Sequence, residues 1–261
     1  MTGPGLFAQY AFPPNELGYC GPEDTAALLG NGEPTASVAR QFDGAWPYLR
    51  AIATAIDVDD PLAPEVVRSY WVGGPALATV DAARLLARLR SAFTGQVTGL
   101  LDEVHEPRHV RAHHSFHVLV VYPWVRFLDR DPAVPLRVLQ NCRIRWGTVQ
   151  SVDDEYVRMR SRPLVFTAGA LALGDPVSER VRWSRDGTSL TSAPAVGDTV
   201  TAHWDWVCDS LNGAERAALS DATHHTLALV HATRIRAARF AISHPRRGIR
   251  SSGTAVSSDG P

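Results

Sequence analysis

The sequence predicts a mixed α+β protein with a helical N-terminal domain, a small β-barrel and a C-terminal helix. Three observations lead to this class. Up to about residue 134 the apolar residues recur at helical spacing, and from 135 to 207 the spacing shortens toward two between frequent turn residues. After 208 helical spacing returns, and 246–261 is rich in Ser, Gly and Arg. We therefore expect domains at 1–134, 135–207 and 208–245, followed by a disordered tail over 246–261.

The helical elements are predicted from apolar periodicity, Pro and Gly. Pro and acidic residues precede one short helix, Pro47 splits a longer one into two pieces, and Gly73–Gly74–Pro75 ends another. The clearest helical stripe begins at Val80. The predicted helical segments are Thr25–Leu29, Ser37–Ile56, Pro64–Trp71, Val80–Leu101, His113–Leu128 and Asn212–Phe240.

The β part is predicted from short β-branched and aromatic runs divided by Asp–Gly and Gly–Asp turns. Short strands at close spacing over about 70 residues are typical of a small barrel. The predicted strands are Val138–Val149, Tyr156–Arg160, Leu164–Leu173, Val181–Trp183 and Thr199–Trp206.

Composition excludes several classes of function. All 26 basic residues are Arg, so no lysine can form a Schiff base, act as a general base or bind phosphate in a P-loop. The net charge of −1 gives no basic excess for nucleic acid or an anionic membrane. Three Cys, no signal-peptide pattern and no long apolar run indicate a cytoplasmic protein with reduced thiols.

The three cysteines lie in different local contexts. Cys20 lies between Gly and Pro residues in Leu17–Pro22, where an irregular loop could stabilise a thiolate with backbone N–H groups, or bury the thiol as a small apolar group. Cys142 is predicted to open the first strand, where Arg143 and Arg145 would lower its pKa. Cys208 is predicted at a strand-to-helix junction.

The histidines suggest two further sites. His109, His113 and His117 would share one face of a helix, a spacing that can bind a metal, although an ordinary helix explains it as well. In a strand, His203 and Asp205 would lie on the face opposite Trp204 and Trp206, where the carboxylate could orient the imidazole.

The β part resembles the HypC/HybG/HupF family of chaperones for nickel–iron hydrogenase assembly. The first landmark is the Cys, Gly and Val spacing of Cys142-Arg-Ile-Arg-Trp-Gly147-Thr-Val149. The second is Gly197-Asp-Thr-Val-Thr-Ala-His203, and the third is the Ala-rich entry into a final helix at Asn212–Leu219. The likeness covers about residues 141–230. In contrast to the family, Cys142 is internal, and Trp204-Asp205-Trp206 follows the His.

This resemblance implies an OB-like barrel and an accessory function. Such chaperones work with a scaffold protein and deliver an iron–cyanide–carbonyl fragment to the hydrogenase large subunit. The iron-binding roles fall on Cys142 and His203, and we add Cys20 as a third candidate ligand. The whole chain also resembles an uncharacterised bacterial family associated with nickel–iron hydrogenase gene clusters, through Leu17–Pro22 and His203–Cys208.

Two other functions stay open at this point. The protein could be a metal-dependent enzyme, with His109, His113 and His117 as ligands and Cys20 or Glu103 nearby. Alternatively, it could be a non-catalytic interaction module, in which Cys142 and His203 only pack. We expect an accessory protein, with hydrogenase large subunit or maturation scaffold as partner and iron as cargo.

Overall fold

A computed structural model describes residues 1–23, 26–30 and 33–243 of the chain. The predicted tail lies outside these residues. Eight α-helices are described, together with 3₁₀ turns at Ala26–Leu29, Pro75–Ala78, Pro107–His109 and Pro123–Phe127 and a π-helical turn at His117–Val121. The helices are α1 (Gly3–Glu16), α2 (Glu33–Ala39), α3 (Trp46–Ala55), α4 (Pro64–Trp71), α5 (Ala82–Ala92), α6 (His114–Phe116), α7 (Ala133–Cys142) and α8 (Gly213–Ser243).

In the described part of the chain nine strands follow α7, and five of them form one sheet. They are β1 (Arg145–Val152), β2 (Tyr156–Ser161), β3 (Leu164–Thr167), β4 (Ala170–Leu173), β5 (Val177–Arg182), β6 (Ser184–Arg185), β7 (Thr188–Ser189), β8 (Thr199–His203) and β9 (Trp206–Ser210). The sheet order is β1-β2-β5-β9-β8, and β8 pairs back with β1. One parallel pair, Arg182 with Trp206, joins β5 to β9 and completes the ring. The mixed α+β class is confirmed.

Helix α1 is the first element that the sequence analysis did not predict. Thr2 caps it, because its side-chain oxygen accepts from the backbone N–H of Gly5 at 3.3 Å. Leu6, Phe7, Tyr10 and Phe12 are all buried, so the helix has no polar face. A helix that is apolar all round gives no periodic stripe, which is why spacing alone did not reveal it.

The predicted strand Val138–Val149 is wrong in its first half. Helix α7 runs to Cys142, and β1 begins only at Arg145. Cys142 therefore ends a helix and does not open a strand. The predicted strand Thr199–Trp206 is also divided, because Trp204 and Asp205 form the turn between β8 and β9. Trp204 has a φ of +52° in that turn.

The buried apolar residues form two clusters. A large apolar cluster extends from Leu6 in α1 to Val230 in α8 and includes Trp206 and Cys208 of β9. A small second cluster fills the inside of the five-stranded sheet: Val149, Val157, Met159, Val181, Val200, Ala202 and Val207. Glu16 connects α1 to the β part. Its carboxylate pairs with Arg185 of β6 and accepts a hydrogen bond from the indole N–H of Trp206 in β9. Within the described ranges, no helix is both long and apolar enough to span a membrane.

Candidate functional site

A small cavity lies where α1, α4, α6, α7 and β8 meet. Its volume is about 260 Å³, which is below the roughly 300–1,000 Å³ of sites for drug-sized ligands and suits a small ligand. Cys20, Cys142 and His203 all line it, although 183 positions separate the first from the last. The three residues that the sequence analysis selected are therefore neighbours of one cavity.

The cavity has two different walls. Nine of the lining residues are buried, and the five of them that carry N, O or S atoms in the side chain are called the inner wall: Tyr70, Trp71, His114, Cys142 and His203. The outer wall consists of residues with more exposure to solvent, which are Tyr19, Cys20, Gly21, Gln41, Asp43 and Gly44. A ligand would enter past the outer wall and react or bind at the inner wall.

Cys142 reaches the inner wall because it is the last residue of α7. Burial raises the pKa of its thiol above the ordinary range, and the nearby Cys20 thiol adds to the effect. The Trp204 side chain and the Arg145 charge act in the opposite direction and favour the thiolate. The predicted lowering of this pKa by Arg143 and Arg145 is therefore wrong in its net direction, because burial outweighs the positive charge.

His203 is held by a backbone group and not by the predicted carboxylate. Its Nδ1 lies 2.6 Å from the carbonyl oxygen of Tyr10 in α1, so Nδ1–H is the donor there. Burial lowers the pKa of His203 to about 4, and the ring is neutral at pH 7. Asp205 lies in the exposed turn, 4.0 Å from Arg182. The predicted pairing of His203 with Asp205 is wrong, because the strand ends between the two residues.

Cys20 lies on the loop that follows α1, as the sequence predicted. The buried side chain of Asn15 holds this loop, since its amide donates to the carbonyls of Cys20 at 2.8 Å and Pro22 at 2.6 Å. The Tyr122 hydroxyl donates to the carbonyl of Tyr19 at 3.2 Å. Burial raises the pKa of the Cys20 thiol to about 12.

The predicted histidine triad is wrong, because the segment is not one regular helix. His109 lies in a 3₁₀ turn with its ring 5.9 Å from His225, and His113 caps α6 by accepting from the N–H of Ser115 at 3.0 Å. Of these three histidines, only His117, in the π-helical turn, lines the cavity. His109, His113 and His117 therefore do not form a metal site. The hypothesis of a metal-dependent enzyme with these three His as ligands therefore has no ligand set.

The structure adds His114, which the sequence analysis had left beside the triad. Its ring lies 5.2 Å from His203 and 4.5 Å from Trp71. Its Nε2 is 2.9 Å from the carbonyl of Cys142, and its Nδ1 is 3.2 Å from the hydroxyl of Tyr70. Nε2–H donates and Nδ1 accepts, so both ring nitrogens are occupied. His114 positions Cys142 and is not available as a ligand.

The cavity has no preformed cage for a bare metal ion. Among the described residues, no three His, Cys, Asp or Glu side chains are arranged to hold a metal ion. The thiols are protonated and the imidazoles are neutral at pH 7, so the inner wall carries no net charge of its own. It offers soft sulfur and nitrogen donors that must lose protons on binding.

Comparisons with known proteins identify the family of the chain. A model of a family of unknown function, DUF6390, matches residues 1–237, and the chain belongs to this family. No curated protein and no solved structure matches the chain.

Proposed function

We propose that this member of the DUF6390 family is a cytoplasmic carrier that binds an iron–cyanide–carbonyl fragment and delivers it during nickel–iron hydrogenase assembly. The observation that carries the proposal is the convergence of Cys20, Cys142 and His203 on one small cavity. The resemblance of the β part to hydrogenase assembly chaperones supplies the cargo and the partner, which is the hydrogenase large subunit or its maturation scaffold.

The incomplete ligand set favours a fragment over a bare ion. A structural zinc ion takes four protein ligands, whereas an iron fragment that already carries cyanide and carbonyl ligands needs fewer ligands from the protein. Cys142 would supply a thiolate, which is a soft ligand for low-spin iron. Cys20 would supply a second thiolate from the outer wall. The neutral ring of His203 would be a further ligand or would accept the proton that Cys142 loses.

The raised thiol pKa values suit a carrier, because a carrier must also release its cargo. Each thiol has to lose its proton before the sulfur can bind iron, so protons compete with the cargo. Because of this competition, the affinity of the two thiols for the iron fragment at neutral pH is lower than that of thiols that are already ionised. Reprotonation of Cys20 and Cys142 would then favour transfer to a partner with stronger ligands.

Anaerobic purification from a host with an intact hydrogenase pathway tests the proposal. We would measure iron and the infrared bands of cyanide and carbonyl in the wild type, Cys142→Ser, Cys20→Ser and Cys208→Ser. Cys208 is the matched control, since it is a buried free thiol outside the cavity lining. We expect iron and bands to fall at least tenfold in Cys142→Ser, several-fold in Cys20→Ser and less than twofold in Cys208→Ser.

Two results would contradict the carrier. One is wild-type protein without iron or bands after purification from that host. The other is an equal loss of iron in Cys142→Ser and Cys208→Ser, which would trace the effect to general unfolding. Metal-free protein in a stable complex with a hydrogenase assembly partner would instead support the interaction module.

A further inference from the structure

A second cavity lies on the outer face of the five-stranded sheet, beside the first turn of α8. Its volume is about 180 Å³, which suits a group of the size of phosphate or sulfate rather than a drug-sized molecule. Residues of β1, β2, β8 and α8 line it, and none of them lines the cavity of Cys20, Cys142 and His203. The two cavities are therefore separate.

Three arginines line this second cavity, and no acidic residue lines it within the described part of the chain. Arg160 and Arg216 are exposed, and neither side chain makes a hydrogen bond or ion pair among the described residues. Arg162 uses its Nε, which donates to the carbonyl of Gly174 at 2.8 Å. Guanidinium groups bind the oxygens of phosphate as planar forks of N–H donors. The three side chains therefore retain the donors that an oxyanion needs.

A fourth arginine, Arg143, lies buried behind the second cavity. It is 1% exposed, and its guanidinium donates to Oε1 of Gln140 at 3.0 Å and to the carbonyl of Arg162 at 2.5 Å. Both acceptors are neutral. The guanidinium carbon lies 5.9 Å from the centre of the Trp146 ring, which lines the cavity. A buried cation is costly unless an anion compensates it, so this arrangement favours an anion nearby.

Glu179 does not remove this excess of positive charge, because it pairs with another arginine. Its carboxylate lies 3.2 Å from Nε of Arg145 and accepts from the hydroxyl of Ser161. Burial lowers the pKa of Arg143 to about 9, with a contribution from Arg145, and Glu179 opposes this only in part. Arg143 is therefore still charged at pH 7.

The acidic residues next to the lining in sequence do not neutralise it either. Asp198 accepts from the N–H of Ala195 at 2.8 Å, and Glu215 accepts from the N–H of Asn212 at 2.9 Å. Asp175 is exposed, and no ion pair joins it to an arginine within the described ranges. Four positive charges thus meet at this cavity, in a chain whose net charge is −1.

Strand pairing adds two hydroxyl groups on the same face of the sheet. Thr148 of β1 lies opposite Arg160 of β2 and opposite Thr199 of β8. Residues directly opposite each other in neighbouring strands share one face. Both threonines line the cavity, and neither hydroxyl has a hydrogen bond within the part of the chain that the structure describes. A hydroxyl can donate to an oxyanion, so the lining offers donors of two kinds.

We propose that this second cavity binds a doubly charged oxyanion, namely a phosphate group. Arg160, Arg162 and Arg216 donate to its oxygens, the two threonine hydroxyls add further contacts, and Arg143 supplies positive charge from behind. A free phosphate ion and the phosphate of an ester present the same oxygens, so the same lining binds either. The site shares no residue with the cysteine cavity and is independent of the proposed carrier function.

Equilibrium dialysis of the full chain with inorganic phosphate at constant ionic strength tests the site. Arg160→Gln and Arg216→Gln each remove one charge at an exposed side chain, so the fold should be kept. Arg158→Gln is the matched control, since Arg158 is exposed on the same strand as Arg160 and lies outside the lining. We expect the wild type to bind phosphate with a Kd of about 1 mM or below. Each lining variant should weaken binding about five- to tenfold, as expected for one charge-assisted hydrogen bond, and Arg158→Gln less than about twofold.

Chemical protection gives a second measurement on the wild type. Phenylglyoxal modifies exposed guanidinium groups, and peptide mass spectrometry reports the rate at each arginine. With phosphate at about ten times its Kd, modification of Arg160, Arg162 and Arg216 should slow about five- to tenfold, whereas Arg158 should keep its rate. The site is overturned if phosphate does not bind up to about 20 mM. It is also overturned by equal weakening in Arg158→Gln and the lining variants, or by unchanged modification rates at all three lining arginines.

Adenosine 5′-monophosphate in the same dialysis distinguishes the two sources of phosphate. Binding more than about threefold tighter than that of inorganic phosphate assigns the site to an ester, and any other ratio assigns it to the free ion. The carrier and the phosphate site fail separately. Cys142→Ser should bind phosphate as the wild type does, because Cys142 does not line the second cavity.

Discussion

The two walls of the cavity each contribute a cysteine, but they hold it in different ways. Cys142 on the inner wall is buried at the end of a helix, and His114, Trp204 and Arg145 all act on it. Cys20 on the outer wall lies on a loop whose main tie is the amide of Asn15. The comparison indicates that the inner wall holds Cys142 through contacts with several buried side chains, whereas the outer wall holds Cys20 mainly through one side chain.

The largest expected effect is the loss of stability in acid, which comes from the buried histidines at and behind the inner wall. Burial lowers the pKa of His203 to about 4 and that of His113, directly behind this wall, to about 3, whereas an unfolded His titrates near 6.5. Between these values the unfolded chain binds more protons, so stability is full above about pH 6.5 and is lost as pH falls. We expect the free energy of unfolding to fall by about 3 kcal/mol for each of these two His as the pH drops from 7 to 4. Urea unfolding at stepped pH measures this slope.

One variant assigns the slope to the inner wall. His203→Gln should flatten the pH dependence of the free energy of unfolding by about one proton, because it removes the group that binds that proton in the unfolded chain. An unchanged slope in His203→Gln would show that this residue is protonated without cost in the folded state, contrary to its burial.

His114→Phe should give the next largest effect. The Phe ring keeps the packing against Trp71 but leaves the Tyr70 hydroxyl and the Cys142 carbonyl without a partner. At about 1–3 kcal/mol for each of the two unpaired groups, the loss should be about 2–6 kcal/mol. Urea unfolding at pH 7 measures it. A loss below 1 kcal/mol would mean that His114 does not hold the inner wall together.

Asn15→Ala should give the smallest change in stability and should act on the outer wall alone. Two hydrogen bonds to the loop are lost, at a cost of about 1–2 kcal/mol. The freed loop should expose Cys20, so its alkylation by iodoacetamide should quicken about tenfold. The alkylation rate of Cys142 should change less than threefold. Equal acceleration at both cysteines, measured by mass spectrometry of each peptide, would show that the two walls open together.

The sequence analysis selected three residues that line the cavity, but it did not predict how they are held there. Cys20, Cys142 and His203 were selected in three separate segments, and the loop around Cys20 was recognised from its Gly and Pro residues. The partner of His203 was missed, because it is a backbone carbonyl in α1 and has no signature in residue type. His114 was passed over because four-residue spacing favoured His109, His113 and His117, which a regular helix would have aligned.

What the sequence determined by itself was the change from helical to β and back to helical character, together with several single helices, because periodicity, Pro and Gly act through local backbone geometry. The helix Pro64–Trp71, the division of the next helix upstream near Pro47 and the long C-terminal helix needed no distant contact. The tertiary structure alone decided the cavity, since its walls come from both ends of the chain. It also decided the protonation of the thiols and imidazoles, because that depends on how completely distant segments exclude water from Cys142 and His203.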